Sequence, residues 1–318
     1  MAERLYIVVP CYKETEVLPE TSKRLKAKLE ALIGAGKIAA GSKVLFVNDG
    51  SPDGTWAMIK EICEKDPLFA GANLSRNRGH QNALLAGLCV AAKCADVIIS
   101  MDADLQDDID AVDRMLAARA EGHDVVYGVR SKRETDTAFK RMTAEAFYKL
   151  MKTLGVDIVF NHADYRLMSR RAVEALMEFG EVNLFLRGMV PLVGFSSTTV
   201  EYERTVRFAG ESKYPLKRMM ALALDGITSF SIKPIRLILA VGVMISLIGV
   251  AILIWSLWVK LSGQNTAGWT SLIGSIWIIG GIQMLSIGLI GEYVGKIYAE
   301  AKRRPRFIIE STINTEEH

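Results

Sequence analysis

The chain has 318 residues, of which 50% are hydrophobic and 24% charged, with a formal net charge of +3. That is too apolar for a disordered chain and too charged for a multi-span transporter. The positive excess is small and spread out, which excludes the concentrated basic surface of a nucleic-acid-binding protein.

The charge is unevenly placed. Residues 237–291 contain one charged side chain, Lys260, so the composition averages a soluble part and a lipid-compatible part. The four cysteines, Cys11, Cys63, Cys89 and Cys94, show no CxxC spacing and no histidine at metal-ligand distance in sequence. Neither a disulfide framework nor a zinc site is expected, and reduced cytosolic thiols are. The N-terminal MAERLYIVVP has too short an apolar run for a signal peptide and reads as a first strand.

In chain order, apolar runs occur at 5–10, 43–49, 69–75, 96–102 and 124–129. Helical patterns lie between them at about 16–33, 54–65, 80–94 and 108–121. Runs apolar on both faces and separated by helices predict an α/β fold: a doubly wound, mostly parallel sheet covered on both sides. Its ligand site belongs at the carboxyl ends of the strands. Further helices are expected at 139–154 and 169–180, and a late strand at 196–206. Residues 215–234 combine helical apolar spacing with Lys217, Arg218, Asp225 and Lys233, which suits an amphipathic interfacial helix or one packed on the sheet.

Residues 237–259 are long enough to cross a bilayer. After Lys260 and the polar turn SGQNTAG (262–268), a second span is expected at 269–291. Lys233 and Arg236 precede this hairpin, and Lys296, Lys302, Arg303, Arg304 and Arg306 follow it. The positive-inside rule therefore places both termini in the cytoplasm. Trp255, Trp258 and Trp269 fall at the expected outer interface.

No GxGxxG or GxxxxGK[ST] follows any strand, which removes the ordinary dinucleotide and P-loop readings. Carboxylates stand at the strand ends instead: Glu14 after the first run, Asp49 and Asp53 after the second, Asp102 and Asp104 after the fourth. Asp102 and Asp104 are two apart in a segment expected to be extended, so their side chains would point the same way and suit a hard divalent cation shared with phosphates. Helix capping produces the same DxD pattern. In VNDGSPDGT (47–55) the aspartates serve either a nucleotide's base or ribose, or the turn and helix cap that Asp-Gly and Pro-Asp-Gly favour.

VVPCYKE (8–14), VNDGSPDGT, SRNRGHQNALLAGL (75–88), MDADLQD (101–107), ADYRLMSRR (163–171) and AGESKY (209–214) occur in that order before a terminal hairpin. Together they resemble the inverting family 2 glycosyltransferases, which have the GT-A fold. The likeness is strongest to polyprenyl-phosphate glycosyltransferases such as the bactoprenol glucosyltransferases, and more distant to dolichol-phosphate mannose synthases. The resemblance implies nucleotide contacts from Pro10, Tyr12, Glu14, Asp49, Asp53 and Asp102. It also implies Mg²⁺ or Mn²⁺ on Asp102 and Asp104 with help from Gln106, and an acceptor-side carboxylate, Asp164, acting as base or orienting group; its neighbour Arg166 offers the alternative of a structural pair with it. Two positions depart from the family pattern: Lys13 stands where Asn is usual, and Asp108 where Pro is common.

A lipid phosphate acceptor is already an anionic nucleophile and needs cationic positioning more than a strong base. Arg130, Lys132, Arg133, Lys140, Arg141, Arg166, Arg207 and Lys213 are the available cations, with Arg130 and Lys213 expected on phosphate. His80 and Gln81 are expected to face the donor. The expected layout is a catalytic domain over 1–214, an interfacial helix over 215–234, a hairpin over 235–294 and a cytosolic tail over 295–318.

The implied enzyme moves one sugar from a nucleotide diphosphate sugar, with uridine diphosphate glucose or N-acetylglucosamine favoured, to undecaprenyl phosphate. This would happen at the bacterial cytoplasmic membrane, for cell-envelope glycan modification. A flippase, a downstream glycosyltransferase and a second copy of the chain are the expected partners. A processive polysaccharide synthase is disfavoured by two spans and by the lack of a QxxRW-type motif. A non-catalytic nucleotide-sensing scaffold is disfavoured by the intact carboxylate set.

Overall fold

Strands with no polar face can be buried only between two layers, and that is how they are used. In the computed structural model, which describes residues 2–130, 162–181, 184–203, 233–261 and 268–315, β1 (Leu5–Cys11), β2 (Lys43–Asn48), β3 (Phe69–Leu74) and β4 (Val97–Ser100) are buried along their whole length. They pair in parallel in the order β4-β1-β2-β3. The intervening helices are α1 (Leu18–Gly34), α2 (Thr55–Lys65), α3 (His80–Ala92) and α4 (Ala111–Ala120). Leu18, Leu25, Leu29 and Leu32 form the buried stripe of α1, with Pro19 in its first turn where no helical N–H is needed. Pro10 fits in a central strand because β1–β4 pairing stops at Val8↔Ser100.

The rest of the sheet is mixed. β5 (Val125–Arg130) and β7 (Ser197–Tyr202) pair in parallel, while β6 (His162–Ser169) lies antiparallel between β4 and β5. Ser169 then caps α5 (Arg170–Met177), its Oγ accepting from the Ala172 N–H. A short helix, α6 (Leu186–Leu192), precedes β7. The expected helix at 169–180 and strand at 196–206 are thus present in shorter form. β6, which carries the ADYRL motif, was not expected as a strand.

Residues 295–318, expected as a tail, contain β8 (Ile309–Ile313), which pairs antiparallel with β3. The return is fastened by side chains. Lys43 Nζ donates to the Asn314 carbonyl (2.8 Å), Asn314 Nδ2 donates to the Cys63 and Phe69 carbonyls, and Asn73 Nδ2 donates to Glu310 (2.7 Å).

The chain forms two compact units. One contains β1 to β7 and the segment from Arg303 on, and the other contains α7 (Lys233–Leu261) and α8 (Trp269–Ala301) up to Lys302. α8 runs ten residues past the expected end of the second span, through Glu292 and Lys296, because nothing in that stretch breaks a helix. Leu247, Trp255 and Trp258 on α7 and Met284, Leu285 and Ile297 on α8 are exposed. Among the described residues, Ile278–Ala301 is the one segment that meets the length and hydropathy of a membrane span, and Ile238–Gly249 is a shorter apolar stretch. The helix expected at 139–154, most of 215–234 and most of the SGQNTAG turn lie outside the described residues. So do Lys132, Arg133, Lys140, Arg141, Arg207 and Lys213.

α3 is buried almost all round and approaches β1 and β2 closely at Gly87, where a Cβ would lie 2.3 Å from Val8 Cγ1 and 2.7 Å from Val47 Cγ2. Gly87→Ala is therefore expected to cost about 1–3 kcal/mol in denaturant unfolding. Gly34→Ala, at the end of α1 with no atom within 4 Å of the added carbon, should instead stabilise the protein by up to about 1 kcal/mol.

Candidate active site

The carboxyl ends of β1, β2 and β4 lie on one edge, and their loops are stitched together there. Lys13 N donates to Ser51 Oγ (3.2 Å), Glu14 N to Thr55 Oγ1 (3.2 Å), and Thr21 Oγ1 on α1 to the Ala103 carbonyl (2.9 Å). Two residues in these loops, Lys13 (φ 58°) and Leu105 (φ 55°), adopt the left-handed backbone region that ordinary side chains avoid. Such strain persists only where the surroundings impose it. An Asn tolerates that conformation better than Lys, so Lys13 is a costly choice at its position.

Asp49, expected at the nucleoside, has a structural task in this loop. It is buried, and its two oxygens accept the backbone N–H groups of Arg78 (2.7 Å) and Gly79 (2.9 Å), which fixes the turn into α3. Burial raises its pKa, and the two backbone donors act the other way. Gly50 (φ 57°) makes room for this turn, since a Cβ would meet the Arg76 carbonyl carbon at 2.3 Å. Asp53 takes the structural option: its Oδ1 accepts from the Thr55 N–H (3.2 Å) and hydroxyl (2.6 Å). Pro10 is buried within β1 rather than presented to a ligand, whereas Tyr12 is exposed with Lys13 Nζ 5.5 Å from its ring centre.

The DxD segment is not extended. β4 ends at Ser100, and residues 103–104 form a turn. The Asp102 side chain is 34% exposed, whereas Asp104 is buried with its Oδ1 accepting from the Gln106 N–H (3.2 Å). β6 supplies what faces Asp102. The β4–β6 register pairs Val97 with Ser169 and Ser100 with Arg166, where β4 ends. The Ser100 hydroxyl holds the Asp164 carbonyl at 2.5 Å, and the register shift between β5 and β6 falls beside this point.

Two guanidinium groups and one imidazole converge on the Asp164 carboxylate. Arg166 Nη2 lies 2.8 Å from Oδ1, Arg187 of α6 adds Nε–Oδ1 (3.2 Å) and Nη2–Oδ2 (3.1 Å), and His80 Nε2 is 3.8 Å from Oδ2. The same His80 nitrogen is 3.5 Å from Asp102 Oδ1. Gln81 Oε1 accepts the Leu186 N–H (3.1 Å), tying the start of α3 to the start of α6. Burial pushes the Asp164 pKa up, but Arg187 and Arg166 outweigh it and hold the group far below the usual carboxylate range. Asp102 shows the opposite balance: burial raises its pKa, Asp164 and Asp104 add to the rise, and His80 only partly offsets it. Of the two readings of Arg166, on the acceptor phosphate or paired with Asp164, the second is the one seen. At 2% exposure Arg166 is the interior partner of Asp164, and its Nε has no hydrogen-bond partner.

The family model for glycosyl transferase family 2 matches residues 6–177. The chain belongs to that family. A second model, the GtrB C-terminal hairpin, matches residues 233–297. The uncharacterized glycosyltransferase YkoT of Bacillus subtilis (strain 168) is 49% identical over 98% of this chain and 93% of its own length. The bactoprenol glucosyl transferase of Shigella phage SfX is 38% identical over 97% of this chain and 99% of its own length. A prophage homologue of that enzyme in Escherichia coli (strain K12) is also 38% identical, over 96% and 98%.

In this glycosyltransferase the mixed, mostly parallel sheet with flanking helices is a GT-A fold. Among the described residues no three His, Cys, Asp or Glu side chains converge into a cage for a metal ion. A cation that takes most of its ligands from a diphosphate needs no such cage. Asp102 fits that role, because it is accessible and burial, with Asp164 and Asp104 beside it, raises its pKa against the opposing pull of His80 and Arg187.

Three residues of the site were missed from the sequence: Arg187, Asp107 and Tyr202. An arginine alone in the apolar run LFLRGMVPLV was the available signal for the first. Tyr202 donates to the buried Asp107 Oδ1 (2.6 Å) and accepts from Arg130 Nε (3.4 Å), which links β7, the DxD loop and the end of β5. Tyr165 reinforces the link through its hydroxyl on the Asp108 carbonyl (2.9 Å) and its edge against Tyr202.

Burial and the neighbouring Asp102 push the Asp107 pKa up to about 6, although the Tyr202 hydrogen bond opposes this. The unfolded value is about 3.9. The folded protein therefore binds this proton more tightly than the unfolded chain, and stability falls as pH rises from about 4 to 6. Relative to wild type, metal-free Asp107→Asn should gain about 2–3 kcal/mol of unfolding free energy between pH 4 and pH 8. A pH-independent difference would contradict the shift.

Proposed function

We propose that the protein transfers a single hexose, with inversion, from a nucleotide diphosphate sugar to undecaprenyl phosphate at the cytoplasmic face of the membrane. Uridine diphosphate glucose is the favoured donor and uridine diphosphate N-acetylglucosamine the second. The observation that carries this reading is the pairing, about one imidazole, His80, of an accessible carboxylate, Asp102, with an arginine-clamped carboxylate, Asp164. The full-length similarity to bactoprenol glucosyl transferases supports the acceptor class.

In the reaction, an oxygen of the lipid phosphate attacks the anomeric carbon. The bond from that carbon to the donor's diphosphate breaks, and its electron pair leaves with the nucleoside diphosphate. The acceptor arrives as an anion, so no strong base is required. A divalent cation, when bound through Asp102 with Asp104 and Gln106 behind it, would neutralise charge gathering on the leaving diphosphate. Tyr202 and Tyr165 hold the loop that carries these residues, and the exposed Tyr12 offers a ring face to the base.

Two crossings of the membrane are supported by connectivity. The chain enters α7 after β7 and leaves α8 towards β8, and both strands belong to one sheet. A folded sheet lies on one side of a bilayer, so an even number of crossings follows. Lys233, Arg236, Arg303 and Arg304 at the two ends favour the cytoplasmic side.

Membranes holding the protein, offered a panel of labelled nucleotide sugars with undecaprenyl phosphate, should form one lipid-linked monosaccharide. A chelator, Asp102→Asn or Asp104→Ala should each reduce formation to background. Undiminished transfer under chelation would remove the metal from the scheme, and a ladder of lipid-linked oligosaccharides would contradict single transfer.

A further inference from the structure

The last strand of the chain reaches the ligand edge of the sheet. β8 pairs antiparallel with β3, so its first residues lie at the carboxyl end of β3 and its last at the amino end. Between Asn73↔Ser311 and Leu74↔Ile309 the register shifts, which leaves Glu310 as the extra residue of a bulge. A bulge re-aims a side chain, and bulges gather beside active sites. Here the Glu310 carboxylate accepts from Asn73 Nδ2 (2.7 Å), and Asn73 Oδ1 accepts from Asn48 Nδ2 (2.7 Å). Asn48 and Asn73 stand opposite one another on β2 and β3, at 2% and 8% exposure. A carboxylate can only accept, so Glu310 dictates which way both buried amides point.

Two apolar residues at 48 and 73 would join these strands with no polar group to satisfy. The ladder instead leaves Asn48 Oδ1 buried and, among the described residues, without a hydrogen-bond partner. Stability alone gives no reason for that arrangement, whereas its place in the sheet does. Asn48 is followed by Asp49, whose carboxylate fixes the N–H groups of Arg78 and Gly79. Asn73 stands two residues before Ser75, whose N–H donates to the Ile308 carbonyl (3.0 Å). The loop over 75–79 is thus held at its start by the C-terminal segment and at its end by Asp49. It leads directly into His80, whose Nε2 is 3.5 Å from Asp102 Oδ1.

The geometry points to Glu310 as a positioning residue of the donor side. Through Asn73 and Asn48 it holds the ends of β3 and β2 in the arrangement that sets the 75–79 loop and His80 beside Asp102. This rests on the nucleotide-sugar donor proposed above, and it brings the C-terminal strand into that site. The opposite end of β8 supplies a matched comparison. There Asn314 Nδ2 fastens the same strand to the Cys63 and Phe69 carbonyls, at the amino end of β3 and away from the ligand edge.

Calorimetric titration of uridine diphosphate with Mn²⁺ into the full-length protein in detergent, beside thermal unfolding of each variant, tests the assignment. Glu310 is exposed, so its substitutions keep the interior packing. Glu310→Ala should weaken uridine diphosphate binding about tenfold, the equivalent of 1.4 kcal/mol. Donor KM should rise alike, while kcat at saturating donor stays within about twofold. Glu310→Gln keeps an acceptor for Asn73 Nδ2 and should bind within about threefold of wild type. Asn314→Ala should lower the unfolding temperature at least as far as Glu310→Ala, yet leave nucleotide affinity within about twofold.

Nucleotide affinity falling in Asn314→Ala in step with lost stability would reduce Glu310 to a fold contact and overturn the assignment. So would unchanged affinity in Glu310→Ala, or a Glu310→Gln as weak as Glu310→Ala. The wild-type titration is read first and separately: if it shows no binding, the donor reading falls and the assignment with it.

Discussion

An antiparallel strand inserted among parallel ones organises this site. β6 enters between β4 and β5, and it carries Asp164 to the same His80 imidazole that Asp102, the first aspartate of the DxD segment, approaches. Two carboxylates brought together in a partly dry cleft repel, so each must be compensated. Asp164 is compensated within the chain, by Arg166 from the same strand and Arg187 from α6. Asp102 is compensated in part, by His80 and Arg187, and burial still leaves its proton affinity raised. That asymmetry leaves Asp102 as the carboxylate that calls for a further cation and Asp164 as the one whose charge the chain itself meets.

The loops around this pair are held by groups that a motif description would assign to the ligand. Asp49 fixes the backbone at Arg78 and Gly79, Asp53 closes its own turn, and Asp107 anchors Tyr202. Loops carrying function must run at the surface, and buried carboxylates that accept backbone or hydroxyl hydrogens are one way to make them rigid. The left-handed Lys13 and Leu105 belong to the same picture, since the fastenings on either side hold each in place.

The first five strands and four helices were legible because burial on both faces and helical apolar spacing leave a direct trace in hydropathy. β6 was not legible as a strand: HADYRLMS places an aspartate and an arginine in the interior, and their mutual compensation is invisible to any apolar count. β8 was missed because its partner, β3, lies more than two hundred residues earlier and its sequence, IESTI, is short and half polar. The aspartates at the strand ends were found readily, but which of them faces the cleft depends on turns. The extended reading of the DxD segment failed for that reason, since β4 stops two residues earlier than its apolar run suggests. Arg187 could not be placed by periodicity, because its importance comes from a contact with a residue twenty-three positions away.

A structure of the protein bound to uridine diphosphate and Mn²⁺ tests this division of the cleft most directly. The account predicts the ion on the Asp102 carboxylate and the diphosphate oxygens, with both oxygens of Asp164 still engaged by Arg187. An ion ligated by Asp164, with Arg187 displaced from it, would contradict the account.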